Sequence, residues 1–315
     1  MKEMSIKTKE RLSFFDEHYD PLQQFAILAD EKIPPLGNKL KKVCRFCGKT
    51  NAETTFRKKA HVLPELIGNK HFVSYYECDD CNSKFGKLED QFGKFIKPWR
   101  TLTLIPGKKG VPTYKTNDGL SRIEYTDETL HIKTSGKNSI VKKDDINKIL
   151  EVIQYRESYY PIAVYKCLIK MALTLIPEEE LCNFKNTLDW ICKDSFIDDG
   201  YNLNNLLCFF AFAPGIYRNN FIQAWLLKRK DNISNVPYVL FVLMFRNYFF
   251  QVWLPLSSKD SHLMRQKVDL SYFPTPFDDY CPYGEIRRML FDLSSKECIK
   301  KEPIIMEIQL QEKKE

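Results

Sequence analysis

Two cysteine pairs, Cys44-x-x-Cys47 and Cys78-x-x-Cys81, constrain this chain more than any other feature. A CxxC turn presents two thiols from one tight loop, and two such knuckles complete a tetrahedral four-sulphur site for zinc. Cys78 follows Cys47 by 31 positions, so the segment between the pairs must fold back to bring the knuckles together. Four thiolates leave no open coordination position, and the expected Zn²⁺ is therefore structural. A redox CxxC pair is the competing reading, and it has to explain two pairs at once. The other six cysteines (Cys167, Cys182, Cys192, Cys208, Cys281 and Cys298) are scattered without ligand spacing and read as buried or idle thiols of a reducing cytosol.

The segment between the knuckles carries reactive residues. It contains Ala60-His61-Val62-Leu63-Pro64, and Asn82 directly follows the second knuckle. The expected local structure is an extended stretch over 55–63, a loop over 64–70 with Gly68 and Asn69 as turn residues, and a short strand near 72–76. A helix is expected from about Asn82 to Ile96, with Phe85, Leu88, Phe92 and Phe95 at helical spacing and Pro98 as its stop. A neutral histidine can accept a proton from water near pH 7. The bland alternatives are a structural His61 beside the zinc site and an Asn82 that caps the helix.

The order CxxC, His-x-x-Pro, CxxC-Asn, helix resembles the HNH endonucleases, in particular the zinc-knuckle branch that includes phage endonuclease VII. His61 lies 14 residues after Cys47 and Asn82 lies 21 after His61, and the resemblance spans about 60 residues. It implies a zinc-bound ββα-metal, treble-clef-like module with His61 as general base. It also implies Asn82 as a ligand of a catalytic divalent ion, Mg²⁺ or Mn²⁺, and Asn69 or His71 as the residue that orients the His61 ring. One position departs from the family pattern. Many members carry an acid just before the histidine, where this chain has Ala60. Another oxygen donor is then required, and Glu65, Glu77 and Glu89 are the candidates.

Charge agrees with a phosphate-binding surface. The chain has a net charge of +7, yet residues 37–115 alone hold 17 Lys and Arg against 7 Asp and Glu. The excess sits on the segment with the knuckles, as expected of nucleic-acid binding, although a solvated Lys-rich surface would look the same. Arg57, Lys58 and Lys59, just ahead of His61, are candidate phosphate contacts. So are Lys108 and Lys109 in the Gly107–Gly110 turn, for which a plain surface turn is the stronger competitor.

The expected fold is α+β: a small zinc module joined to a larger α+β domain with a helical pair and an antiparallel sheet. The expected division is an N-terminal arm or small helical lead-in over 1–42, the nuclease module over 43–100, and a recognition, regulatory or partner-binding domain over 101–315. Helices are expected at Pro161–Leu175 and Glu178–Cys192, then three or four aromatic strands over 203–256, with a polar tail after Glu302. The apolar run Tyr238–Leu256 reads as two strands around Arg246-Asn247, since a membrane span would bury that arginine in hydrocarbon. Met1–Glu10 is Lys-rich with no apolar stretch after it, and a soluble cytoplasmic protein is expected.

The functional expectation is a metal-dependent endonuclease acting on nucleic acid, double-stranded DNA foremost, in bacterial defence or restriction. A junction-resolving nuclease is a variant of that reading. The alternative from another class is a non-catalytic zinc-finger nucleic-acid-binding protein with a degenerate site. A protein partner or a homo-oligomer would use residues 101–315.

Overall fold

The computed structural model describes residues 4–28, 31–135, 139–217, 221–263 and 268–309. The chain begins with helix α1 (Ile6–His18), which runs directly into strand β1 (Tyr19–Leu28). A two-stranded hairpin, β2 (Ala60–His61) and β3 (Val73–Ser74), leads to the long helix α2 (Asp79–Leu102). Two small antiparallel sheets come next. One holds β4 (Tyr114–Lys115), β5 (Arg122–Thr126) and β6 (Thr129–Lys133), and the other starts with β7 (Val141–Asp144) and β8 (Ile149–Tyr155). Helices α3 (Pro161–Leu175) and α4 (Lys185–Cys192) follow, separated by a 3₁₀ segment, Glu178–Phe184. The chain then forms β9 (Leu207–Phe212), β10 (Phe221–Arg229), β11 (Val239–Phe245), β12 (Tyr248–Trp253), β13 (Arg287–Asp292) and β14 (Pro303–Gln309).

The centre is a six-stranded antiparallel sheet in the order β1-β10-β11-β12-β9-β13. Its aromatic strands bury one face against α2 and α3. Trp99 of α2 stacks on Phe210 with centroids 4.5 Å apart, and Phe92 meets Phe250 edge-on at 5.6 Å. The Tyr165 hydroxyl of α3 donates to the Trp253 carbonyl at 2.8 Å. Aromatic residues at 209–253 thus serve packing, as their β propensity and size favour. The tight turn at Arg246-Asn247 is present, with Arg246 at φ 54°. Among the described residues no helix is long and apolar enough to cross a membrane.

Several expectations change. Within the stretch expected as an arm or small helical lead-in, helix α1 runs on into β1, which pairs along its length with β10, from Tyr19 opposite Arg229 to Leu28 opposite Phe221. The described part of the polar tail, Pro303–Gln309, is a strand: β14 pairs with β8 and its residues alternate in exposure. Ile304, Met306 and Ile308 carry that period of two, which the flanking charges obscure. Pro98 lies inside α2. A proline within a helix removes one intrahelical bond and crowds the carbonyl a turn earlier. The carbonyl left without its intrahelical donor is that of Lys94; beside it, Arg156 Nε donates to the Phe95 carbonyl at 2.8 Å. Helix α3 is buried on every side rather than amphipathic. One continuous core joins Cys44 and Phe85 of the knuckle region to α3 and to Phe241 of the sheet, so packing draws no boundary at residue 100.

Candidate active site and zinc knuckle

The first knuckle closes because Gly48 takes φ 74° and donates its N–H to the Cys44 carbonyl at 2.9 Å, while Cys44 N donates to Lys49 O at 2.8 Å. The second is the N-terminus of α2, where Cys78 is the N-cap and its sulphur accepts from Cys81 N at 3.5 Å. Cys78 N in turn donates to Cys44 Sγ at 3.5 Å. All four sulphurs lie within 4.8 Å of one another, and Cys47 and Cys78 are 3.7 Å apart. Tetrahedral zinc with Zn–S bonds of about 2.3 Å requires sulphurs about 3.8 Å apart. The four-cysteine cluster therefore fits a zinc knuckle. Burial is the main cause that pushes the Cys47 thiol up to about 11. Cys192, from the end of α4, stands against Cys81 as a fifth thiol but is not among the four clustered sulphurs.

His61 ends β2, with Val73 of β3 as its backbone partner. Its ring is largely buried, and Nε2 lies 3.5 Å from Glu65 Oε1. Nδ1 is buried without a hydrogen-bond partner. Burial holds the ring below its ordinary pKa of 6.5. Glu65 opposes that shift, while Lys59, Lys170 and Lys108 reinforce it. The imidazole is therefore neutral at physiological pH and available as a base through Nε2.

Around this ring is an open cleft of about 560 Å³, lined by His61, Glu65, Glu89, Arg100, Lys108 and Lys109 together with residues of the 107–113 turn. Glu65 opens the 3₁₀ turn Glu65–Ile67, which Gly68 ends at φ 105°. Glu89 and Arg100 come from α2. Burial raises the pKa of Glu89 above the usual carboxylate range, and Lys170 opposes the rise. Lys108 and Lys109 occupy a turn clasped by Gly107 N to Gly110 O at 2.9 Å and Gly110 N to Gly107 O at 3.1 Å. The turn thus borders the cleft.

The predicted site residues divide into three groups. The fold brings His61, Glu65, Glu89, Lys108 and Lys109 to one cleft. Asn82 lies outside the cleft lining, on the first turn of α2, and its Nδ2 reaches the Lys59 carbonyl at 3.4 Å. It shares a helical face with Gly86 and Glu89, at i, i+4 and i+7. A side chain built at Gly86 would meet nothing within 4 Å, so the face between Asn82 and Glu89 is open. Asn82 is not the helix cap, a position held by Cys78. Arg57 and Lys58 also lie away from the cleft. Their backbone amides both donate to the Asp79 carboxylate. Lys59 donates from Nζ to the Lys70 carbonyl at 3.0 Å.

Two expectations fail. Asn69 does not orient the His61 ring, because its amide is committed to the loop. Nδ2 donates to Leu63 O at 2.6 Å and Phe72 O at 2.9 Å, and Oδ1 accepts from Phe72 N at 2.9 Å. Both donors and an acceptor site are thus spent on backbone, and Asn69 acts by fixing the loop that follows His61. Glu77 cannot serve an ion in the cleft. Its side chain is fully buried and pairs with Lys170 Nζ at 3.0 Å.

Lys170 and Arg100 escaped the sequence reading. Lys170 of α3 donates to the His61 carbonyl at 3.1 Å, pairs with Glu77, and lies 3.9 Å from Glu89. Burial acts to lower its pKa, but the two carboxylates outweigh it and keep the ammonium charged. In the other direction, Arg45 of the first knuckle caps the end of α3, donating from Nη1 to the carbonyls of Leu173, Thr174 and Ile176 at 2.8–3.0 Å. No local spacing signals either contact, since the partners are more than 80 residues apart.

Residues 44–96 match the HNH endonuclease family. No curated protein and no solved structure matches the chain.

Proposed function

With residues 44–96 an HNH endonuclease module, we propose that the cleft hydrolyses phosphodiester bonds of nucleic acid, DNA foremost, in a reaction that depends on a divalent ion. The observation that carries this reading is a neutral, half-buried His61 whose Nε2 faces a cleft holding two carboxylates and rimmed by cations. In the proposed step His61 Nε2 takes the proton of a water as the water oxygen bonds to phosphorus. The bond from phosphorus to the leaving oxygen then breaks. Lys108 and Lys109 draw the backbone into the cleft and oppose its negative charge. Glu65 lies beside the ring and favours the imidazolium once it forms.

Glu65 and Glu89 would hold Mg²⁺ or Mn²⁺ in the cleft, and the ion when bound would neutralise charge developing on the phosphate oxygens; Asn82, seven residues before Glu89 on α2, lies outside that cleft. Ala60 offers no oxygen donor to this set. Its side chain is buried at 2% exposure, and Glu65 and Glu89 bring the carboxylates from the loop and the helix instead. A cytoplasmic role in defence or restriction accords with ten free cysteines and with the company such modules keep.

The test is incubation of plasmid DNA with the full chain in Mg²⁺, in Mn²⁺, or without added divalent ion, beside His61→Ala. Nicking that needs both the ion and His61 supports the enzyme. The cysteine cluster is the only group of three or more metal-ligating His, Cys, Asp or Glu among the described residues. That observation favours a second reading, a zinc-stapled binder with a degenerate site. A mobility shift without nicking under all three conditions would select it.

A further inference from the structure

Arg100 is the one cleft residue whose position is energetically unexplained by the protein itself. It is 8% exposed, in the last turns of α2 and beyond the matched module. Its Nε is buried without a partner, and among the described residues no carboxylate or carbonyl meets its guanidinium. Every other strongly buried cation among the described residues is paired. Lys166 holds Asp199 at 2.7 Å, Lys170 holds Glu77, Arg156 holds Glu302, and Arg229 holds Asp260 at 2.8 Å. Burying an unpaired charge costs stability, and nothing in the fold offsets that cost at Arg100. Burial pushes its pKa down to about 10, so it remains charged.

The surroundings of Arg100 indicate what the missing partner is. It lines the cleft with His61, Lys108 and Lys109. Its Nη2 lies against Gly107, where an added Cβ would come within 2.6 Å of it. The absence of a side chain at Gly107 is what lets the guanidinium rest beneath the Lys108-Lys109 turn. A planar fork of N–H donors beside two flexible ammonium groups is suited to a tetrahedral, doubly accepting anion. We propose that Arg100 and the Gly107–Gly110 turn form a clamp for a phosphate of the nucleic-acid backbone, positioned next to His61. The clamp deepens the nuclease reading, on which it rests for the identity of the anion.

The test separates binding from cutting. Affinity of the full chain for a short labelled DNA duplex is measured by anisotropy across a salt series with no added divalent ion. Arg100→Met should bind about tenfold more weakly, the scale of a lost charge-assisted hydrogen bond. The slope of affinity against salt should fall by about one phosphate contact. Its melting temperature should rise, because an unpaired buried charge is gone. Gly107→Ala keeps every charge but displaces the guanidinium, and should also weaken binding. Lys142→Gln, an exposed charge outside the cleft, should leave affinity within about twofold. Wild-type affinity and salt slope in Arg100→Met overturn the clamp, as does a wild-type chain that binds no duplex. A wild-type chain that binds through Arg100 yet never nicks DNA leaves the clamp standing and removes the nuclease reading.

Discussion

The four-thiol knuckle and the His61 cleft lie on the same stretch of chain but are assembled differently. The knuckle is local: two tight turns supply four sulphurs, and backbone amides of Cys78 and Cys81 donate to two of them. The cleft is composite. It takes His61 and Glu65 from the hairpin, Glu89 and Arg100 from α2, and Lys108 and Lys109 from a turn beyond the matched module. Its floor depends on Lys170 from α3. The difference teaches that a stapled module can be recognised in isolation, while its chemistry depends on the rest of the chain.

The largest expected effect is on the knuckle. Cys78→Ser removes one zinc ligand, and a structural zinc site contributes on the order of 10 kcal/mol to folding. Zinc content should drop and the melt of the module should collapse. A variant that keeps its melt and its nicking would show that the staple is dispensable.

Next is the cleft's base. His61→Ala should cost about a hundred- to ten-thousandfold in nicking rate, with duplex affinity and melting temperature close to wild type. Equal loss of affinity would mean that His61 belongs to the knuckle's scaffold, erasing the contrast.

Lys170→Met tests the composite floor. It strands Glu77 as a buried charge, and breaking one side of such a pair costs about 3–5 kcal/mol. Adding Glu77→Gln should recover much of that loss in denaturant titrations. It should not recover nicking, because the His61 carbonyl still lacks its donor. Purely additive losses would show that the two residues are not coupled.

The smallest effect concerns pH. Burial holds the folded pKa of His61 below its ordinary 6.5, so on acidification the unfolded chain binds the proton first. The associated stability is present above pH 6.5 and is lost as pH falls through the folded value. Nicking should share that acid limb, because protonation consumes the base. An acid limb of the pH–rate profile centred above 6.5 would contradict the burial argument.

Much of the architecture was legible because it follows short-range rules. The paired cysteines, the apolar spacing after the second knuckle, the Pro161–Leu175 helix and the hairpin around Arg246-Asn247 each declare themselves within a dozen residues. The errors came from residues whose roles are set by contacts that the local pattern does not show. Pro98 looked like a helix stop because the packing that carries α2 past it, Trp99 stacked on Phe210, comes from a distant strand. Glu77 looked like a free acid because Lys170 is remote in sequence. Asn69 looked like a partner for the His61 ring because the carbonyls it holds, Leu63 and Phe72, are backbone groups that any residue supplies.

The sequence by itself determined that two knuckles bring four thiols into a cluster that fits zinc and that a histidine lies between them, since ligand type and spacing suffice for a site made of tight turns. Only the tertiary structure decided which carboxylates face that histidine, which are spent on buried lysines, and that Arg100 is left without a partner beside it. Electrostatic energies depend on separation and burial in space, and neither quantity is written in the order of residues along a chain.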